Sequence, residues 1–255
     1  MKIVDIKEYL GEIRWADAAQ HIDGAMIRGS VGYRLDDRFR ENVRGCVENK
    51  VPIGVYWLSI ATHARAAVKE AKTILEAVDK LRLSLPIVIQ FDNYSLRSAQ
   101  ERGCRVTSDD VREIVLSACQ TIREAGFRAM YATSLSVQTA HLSGIEEQFP
   151  LWLQAFCEPA KAAESGPQLP CAMWSYGTER IHGIGKNVAV SEVYTPMSED
   201  PVEETQSGAE LDDLTWAITN RITTDDRADH PITLGEAVAL LRRYNIAFGL
   251  DPEEK

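Results

Sequence analysis

Short apolar stretches rich in β-branched residues recur along the first 197 residues, separated by polar and turn-forming residues. Eight of these stretches have the length and composition of β-strands. They are Lys2–Ile6, Gly24–Arg28, Ile53–Leu58, Ile87–Asp92, Arg128–Thr133, Leu151–Phe156, Cys171–Ser175 and Asn187–Val193. Segments with a helical repeat lie between several of them, at Phe39–Asn49, His63–Leu81 and Ser108–Ala125. This alternation predicts a parallel sheet, and eight strands predict that the sheet closes into a barrel.

The helical pattern fades in the last third of this region. After the fifth strand the connecting segments shorten and fill with Pro, Gly and Ser, as in PAKAAESGPQLP at residues 159–170. Proline interrupts the hydrogen bonding of a helix interior, so this segment cannot hold a long helix. The sequence therefore predicts an α/β protein whose residues 1–197 form an irregular, TIM-like barrel.

The last 58 residues differ from the barrel region in pattern and charge. Ser198–Asp213 contains seven acids and no base, which is typical of a linker. Residues 214–255 form a small module with two short amphipathic helices, predicted at Leu214–Arg221 and Leu234–Asn245. Two short helices bury little surface alone. We therefore expect this module to pack on the barrel or to form a homodimer with a second copy of itself.

Charge and composition exclude several classes of function. Residues 198–255 hold 14 acidic and 5 basic side chains, whereas residues 1–197 hold 24 and 23, so no basic face for nucleic acid is expected. No apolar run is long enough to insert in a membrane, and the N-terminus lacks the features of a signal peptide. The five cysteines and five histidines show no metal-binding spacing, so neither a metal nor another cofactor is expected.

Candidate chemistry lies at the carboxyl ends of the predicted strands, where barrels of this type carry their active sites. The residues there are Asp5, Arg28, Tyr56, Trp57, Gln90, Asp92, Tyr131, Gln154, Trp174 and Tyr176. Aromatic rings with amides and carboxylates suit a sugar ligand, and paired carboxylates suit glycoside hydrolysis. Two alternatives stay open: an Asp after a strand is as often a cap for the following element, and an aromatic residue in a strand is more often part of the core.

The order of these segments resembles the family 25 glycoside hydrolases, the Chalaropsis-type lysozymes of bacteria and phages. The similarity covers about residues 1–195. It runs through VDIKEYLGEIRW, GAMIRGS, DDRFRENVRGCVENKVPIGVYWLS, LPIVIQFDNYSLRSAQERGCRVT, IREAGFRAMYAT, LWLQAF and WSYGTERIHGIGKNVAVSEVY. The resemblance implies a barrel of five βα units followed by three strands. It also implies cleavage of the β-1,4 bond between N-acetylmuramic acid and N-acetylglucosamine in peptidoglycan.

The family's acidic residues carry over only in part. Asp5 matches the Asp that ends the family's first strand. The family's Asp-x-Glu on the fourth strand corresponds to Gln90-Phe91-Asp92, and Ala189 stands where another acid is expected. The resemblance thus implies that Asp92 is the general acid, that Asp5 stabilises charge, and that Gln90 replaces an acid that orients the substrate's acetamido group. It leaves Arg28, Tyr56, Tyr131, Gln154 and Trp174 as candidate substrate contacts.

Two functions from different classes fit this pattern. One is a muramidase weakened by its altered acids, since the Asp92 carboxyl is about 1.5 Å shorter in reach than that of Glu. The other is an inactive lysozyme fold that binds cell-wall glycan or a protein partner. A phage-type enzyme is made in the cytoplasm and acts on the wall after release. The segment from Leu214 to Tyr244 weakly resembles a single S-layer-homology unit, which suggests a role in wall targeting or dimerisation.

Overall fold

The computed structural model describes residues 1–157 and 166–195. The predicted acidic linker and two-helix module, and with them the predicted dimer contact, lie outside the described residues. Within the described part, no helix is both long and apolar enough to cross a membrane.

A closed eight-stranded barrel forms the centre of the described region, as the sequence predicts. Its strands are β1 (Lys2–Ile6), β2 (Gly24–Val31), β4 (Ile53–Leu58), β5 (Ile87–Gln90), β6 (Ala129–Ser134), β7 (Leu151–Gln154), β8 (Met173–Arg180) and β9 (Asn187–Val193). The first seven of these strands pair in parallel around the barrel, whereas β9 closes it by pairing antiparallel to both β8 and β1. A two-residue strand, β3 (Arg34–Leu35), forms a hairpin with β2 that the sequence pattern did not indicate.

Helices cover the outside of the barrel in its first two thirds. They are α1 (Trp15–Ala18), α2 (Phe39–Glu48), α3 (Ala64–Val78), α4 (Asn93–Glu101), α5 (Ser108–Glu124) and α6 (Leu135–Val137). Short 3-10 turns occupy Glu8–Leu10 and Ile145–Glu147, and a π-helical turn occupies Gln138–Leu142. The three predicted helices correspond to α2, α3 and α5. As expected for a capped helix, the Thr107 side chain accepts a hydrogen bond from the backbone of Asp110 at the start of α5.

Two apolar clusters stabilise this architecture. Alternate residues of each strand point to opposite faces of a sheet, so one set of side chains fills the barrel and the other packs under the helices. The interior cluster includes Ile3, Met26, Tyr56, Val88, Met130, Trp152 and Met173. The larger cluster lies between strands and helices, and it includes Tyr131 and Trp174. The mouth of the barrel is the opening at the carboxyl ends of the parallel strands, beyond this interior cluster.

Glu70 on α3 is a buried carboxylate, 1% exposed, that ties the end of β4 to the helix layer. It accepts hydrogen bonds from Trp57 Nε1 at 3.1 Å, Ser59 Oγ at 2.5 Å and the Ile60 backbone N–H at 3.2 Å. Replacement by alanine leaves three buried donors without an acceptor, so we expect Glu70→Ala to lower the free energy of unfolding by about 3 kcal/mol. Urea denaturation measures this change.

The same carboxylate gives stability a defined pH dependence. Burial raises the pKa of Glu70 above its ordinary value. The folded protein therefore binds this proton more tightly than the unfolded chain, and the free energy of unfolding falls as pH rises from the ordinary value through the raised one. Glu70→Gln cannot titrate and should lack this decline. Equal pH slopes for wild type and Glu70→Gln would contradict the assignment.

Candidate functional site

Asp5 is at the centre of a buried cluster at the mouth of the barrel. Its Oδ1 accepts a hydrogen bond from the Tyr56 hydroxyl at 2.5 Å, and its Oδ2 lies 2.7 Å from Lys7 Nζ. The Asp5 side chain is only 2% exposed, while that of Lys7 is 20% exposed. Burial and the neighbouring carboxylate raise the pKa of Tyr56, so its hydroxyl keeps the proton that it donates. Both oxygens of Asp5 therefore have partners within the protein.

Lys7 was not among the candidates from the sequence, although it directly follows β1. Burial opposes its positive charge, but the contact with Asp5 outweighs this effect, and the pKa of Lys7 is raised. Its ammonium group also lies 5.9 Å from the ring centroid of Tyr9, an exposed residue. The sequence does contain a signal for Lys7. It lies two residues after Asp5, so if the alternation of β1 continues, both side chains point to the same face.

Asp92 and Gln90 form a second polar cluster at the end of β5. Gln90 Nε2 donates to Asp92 Oδ2 at 2.7 Å and to Gln154 Oε1 at 3.0 Å. These two bonds fix the orientation of the Gln90 amide and connect the ends of β5 and β7. The structure thus brings together three of the residues that the sequence indicated.

Asp92 also caps α4, as the alternative for such a residue allowed. The strand ends at Gln90, and Asp92 Oδ1 accepts from the backbone N–H groups of Tyr94 at 2.8 Å and Ser95 at 3.4 Å. The Ser95 hydroxyl accepts in turn from the Asp92 backbone, which completes a capping box. One oxygen of Asp92 therefore faces the start of a helix and the other faces Gln90.

Arg28, which the sequence predicts as a substrate contact, belongs to an ion-pair network beside the mouth. Its Nε lies 2.9 Å from Asp36 Oδ2, and its terminal nitrogen lies 3.5 Å from Glu8 Oε1. Glu8 also pairs with Arg34. Because Arg28 is 11% exposed and has two acidic partners, its positive charge is paired with carboxylates of the protein.

The predicted aromatic contacts differ from the expected platform. Tyr56 and Tyr131 are fully buried and offer no ring face to a ligand. Tyr131 belongs to the helix-side cluster and its hydroxyl donates to Gln138 of the π-helical turn, because its neighbours Met130 and Ala132 take the interior positions of β6. Trp174 is 3% exposed and donates to the Ala155 carbonyl at 3.0 Å.

A cavity of about 470 Å³ opens between the ends of β6, β7 and β8. Hydroxyl groups, two amides and apolar side chains line it, a mixture that suits a sugar. The lining residues are Ser134, Leu135, Ser136, Thr139, Gln154, Ala155, Phe156, Cys157, Gly166, Gln168 and Trp174. Sequence reasoning identified Gln154 and Trp174, and it missed the serines, of which Ser134 ends β6 and Ser136 lies in α6. Among the described residues, no group of three His, Cys, Asp or Glu side chains could hold a metal ion.

Ala189 lies directly opposite Asp5 across the antiparallel pair of β1 and β9. Opposed residues in such a pair have Cβ atoms about 5 Å apart and point to the same face. The position at which the sequence resemblance expects another acid is therefore a neighbour of Asp5, and here it carries a methyl group. The described mouth consequently has Asp5 and Asp92 as its two candidate acids.

Comparison with known proteins agrees with this geometry. The model of the family described as Glycosyl hydrolases family 25 matches residues 4–183. No curated protein sequence matches the chain. Among solved structures, the modular autolysin LytC from Streptococcus pneumoniae is similar at 24% identity and a TM-score of 0.64, over 76% of this chain and 46% of LytC. LytC has also been solved in complex with a synthetic peptidoglycan ligand, with 23% identity, a TM-score of 0.63 and the same coverage.

Two shorter proteins match over most of their own length. The lysozyme from Streptomyces coelicolor has 16% identity and a TM-score of 0.62, over 76% of this chain and 92% of the lysozyme. The catalytic domain of endolysin ply40 from bacteriophage P40 of Listeria monocytogenes has 15% identity and a TM-score of 0.62, over 76% and 93%. This chain spans less than half of the autolysin's length, while it spans nearly all of the two shorter proteins.

Proposed function

Because the chain belongs to glycosyl hydrolase family 25, we propose that it is a peptidoglycan-directed muramidase with reduced catalytic power. Its substrate is the glycan strand, and its target is the β-1,4 bond between N-acetylmuramic acid and N-acetylglucosamine. The observation that carries this proposal is the presence of two carboxylates, Asp5 and Asp92, at the mouth of a family 25 barrel. Hydrogen bonds through Gln90 connect Asp92 to Gln154, which lines a cavity of sugar-binding character.

The proposed roles follow from the chemistry of glycoside hydrolysis. Asp92 gives its proton to the oxygen of the leaving sugar as the bond from that oxygen to the anomeric carbon breaks. Water adds its hydroxide to the anomeric carbon, and its remaining proton returns to the carboxylate. Asp5 offsets the positive charge that develops on the sugar ring. Gln90, held by Asp92 and Gln154, presents its carbonyl oxygen as an acceptor for the acetamido N–H of the substrate.

Reduced catalytic power follows from the partners of these acids. Asp92 Oδ1 accepts from the first turn of α4, and Oδ2 accepts from Gln90, so proton donation to a substrate must replace one of these contacts. Asp5 has Tyr56 on one oxygen and Lys7 on the other. A catalytic group that is displaced by about 1 Å loses on the order of 100-fold in rate.

A second candidate function is glycan binding without hydrolysis. It is favoured by the same occupied carboxylates and by the methyl group of Ala189 beside Asp5. In this case the cavity beside Gln154 holds wall glycan, and residues 214–255 provide a second contact with the wall or with a protein partner.

One experiment separates the two candidates. Purified peptidoglycan from several bacteria is incubated with the protein, and new reducing ends and sedimented protein are measured in the same samples. The muramidase proposal predicts new reducing ends above those in a heat-inactivated sample. Co-sedimentation without new reducing ends would favour the binding function, and the absence of both would contradict both.

A further inference from the structure

We propose that the Lys7 ammonium group is a counter-ion of Asp5, and that it weakens the attraction between the Asp5 carboxylate and a cationic ligand at the mouth of the barrel. The inference rests on the proposed function, because it concerns the charge that Asp5 offers to a sugar ring that becomes cationic during hydrolysis. Lys7 is thus a positioning residue: it acts through Asp5.

Protein groups cover both oxygens of Asp5, and one of these groups is the Lys7 ammonium. Lys7 Nζ lies 2.7 Å from Asp5 Oδ2, and the Tyr56 hydroxyl covers the other oxygen. The exposed fraction of the side chain is 20% for Lys7 and 2% for Asp5. Neither oxygen of Asp5 is therefore free for a ligand while these two contacts hold.

The contacts of Lys7 keep its charge in this position. Its pKa is raised, because the ion pair with Asp5 outweighs the effect of burial. The ammonium also lies 5.9 Å from the ring centroid of the exposed Tyr9. Arg28, the other nearby cation, is held by Asp36 and Glu8 and does not compete for Asp5.

Electrostatics gives the size of the expected effect. In a partly buried site, an unpaired carboxylate within about 4 to 6 Å of a protonated cationic group changes the proton-binding constant of that group by about tenfold or more. A carboxylate with an ammonium group at contact distance acts as a dipole, whose field falls off faster with distance. Removal of the Lys7 charge should therefore increase the affinity of the mouth for a cationic ligand by about tenfold.

The test compares a cationic iminosugar that carries an N-acetyl group with neutral N-acetylglucosamine trimer, by calorimetric titration of the full chain. Lys7→Met is expected to bind the iminosugar about tenfold more tightly than wild type, with the affinity for the neutral trimer unchanged. Lys7→Arg keeps the ion pair and should behave as wild type. Lys2→Met is the matched control, because Lys2 forms another lysine–carboxylate pair of 2.7 Å, with Glu179, from the opposite end of β1.

The double variant Asp5→Asn, Lys7→Met should lose the gain, since the carboxylate itself is then absent. If Lys7→Met does not fold, Lys7→Gln keeps a hydrogen-bond donor to Asp5 without the charge and carries the same expectation. Unchanged iminosugar affinity in a folded, uncharged variant would overturn the inference, as would an equal gain for the neutral trimer.

Hydrolysis provides an independent readout. If the chain cleaves glycan, Lys7→Met should raise kcat about tenfold and leave KM unchanged, because only the charge of the transition state is affected. If no variant cleaves glycan but Lys7→Met gains iminosugar affinity, the proposed function fails and the counter-ion role of Lys7 stands. If wild type cleaves glycan and the variant gains neither affinity nor kcat, the inference alone fails.

Discussion

Replacement of Gln90 by Asp together with Asp92 by Glu is expected to increase the initial rate of glycan cleavage about 100-fold. Glu extends the carboxyl at position 92 by about 1.5 Å toward a glycosidic oxygen. It also moves this carboxyl away from the backbone of Tyr94, which now holds Oδ1 at 2.8 Å. Asp at position 90 adds the second carboxylate that Gln90 lacks. The measurement is reducing-end release from purified peptidoglycan.

The two single variants show which change matters. Gln90→Asp alone leaves the short acid in place, and Asp92→Glu alone retains the amide, so each should gain less than the double variant. Glu is a weaker helix cap than Asp, and we expect a loss of about 1 kcal/mol in stability in both Glu variants. A folded double variant with no gain over wild type would show that these two positions do not limit cleavage.

Asp92→Ser is expected to lower the cleavage rate of wild type at least 100-fold while α4 stays capped. Serine caps helices as well as aspartate does, so the backbone N–H groups of Tyr94 and Ser95 keep an acceptor. Serine has no acidic proton to give to the leaving sugar. The rate of reducing-end release, measured at several pH values, therefore tests the role of Asp92 as a proton donor separately from its role as a helix cap.

Asp92→Ala is the matched comparison for this variant. It removes both the acid and the cap, and it should lose about 1 kcal/mol of stability relative to Asp92→Ser with no further loss of activity. If Asp92→Ser retains wild-type activity, Asp92 is a cap and not the general acid. If Asp92→Ser loses both stability and activity to the same extent as Asp92→Ala, the two roles cannot be assigned to separate oxygens.

Much of the fold follows from the sequence because hydrophobic residues repeat with a different period in a strand, about two residues, than in a helix, about 3.6 residues. The first, third and eighth predicted strands have the bounds observed for β1, β4 and β9, and α2, α3 and α5 lie where the helical repeat indicates. The hairpin of β2 with β3 was missed, because two residues are too short to carry a pattern. Helix α4 was missed because it begins at Asn93, directly after the predicted strand, and its N-cap Asp92 was assigned to that strand.

The site was less predictable because strand position alone does not give side-chain direction. Tyr131 was assigned to the mouth, yet one residue of alternation turns it toward the helices. Arg28 points as expected, but its partner Asp36 comes from the loop after β3, which a strand pattern does not place. The two-residue spacing of Lys7 from Asp5 indicates a shared face, but it does not show that the ammonium group contacts the carboxylate.

The family resemblance located the acids but not their contacts. It identified Asp5 and Asp92, and the structure adds that each has both of its oxygens occupied. An Asp after a strand can cap a helix or donate a proton, and here the geometry allows both roles on different oxygens of Asp92.

The most direct test of muramidase activity is the identity of the sugar at the new chain end. Peptidoglycan is digested with the wild-type protein, reduced with borohydride and hydrolysed to its amino sugars. Cleavage after N-acetylmuramic acid leaves this sugar as the reducing end, so we predict the alcohol of muramic acid in the wild-type digest and at least 100-fold less in the Asp92→Ser digest. The alcohol of glucosamine, or no reduced sugar above the untreated sample, would contradict the assignment.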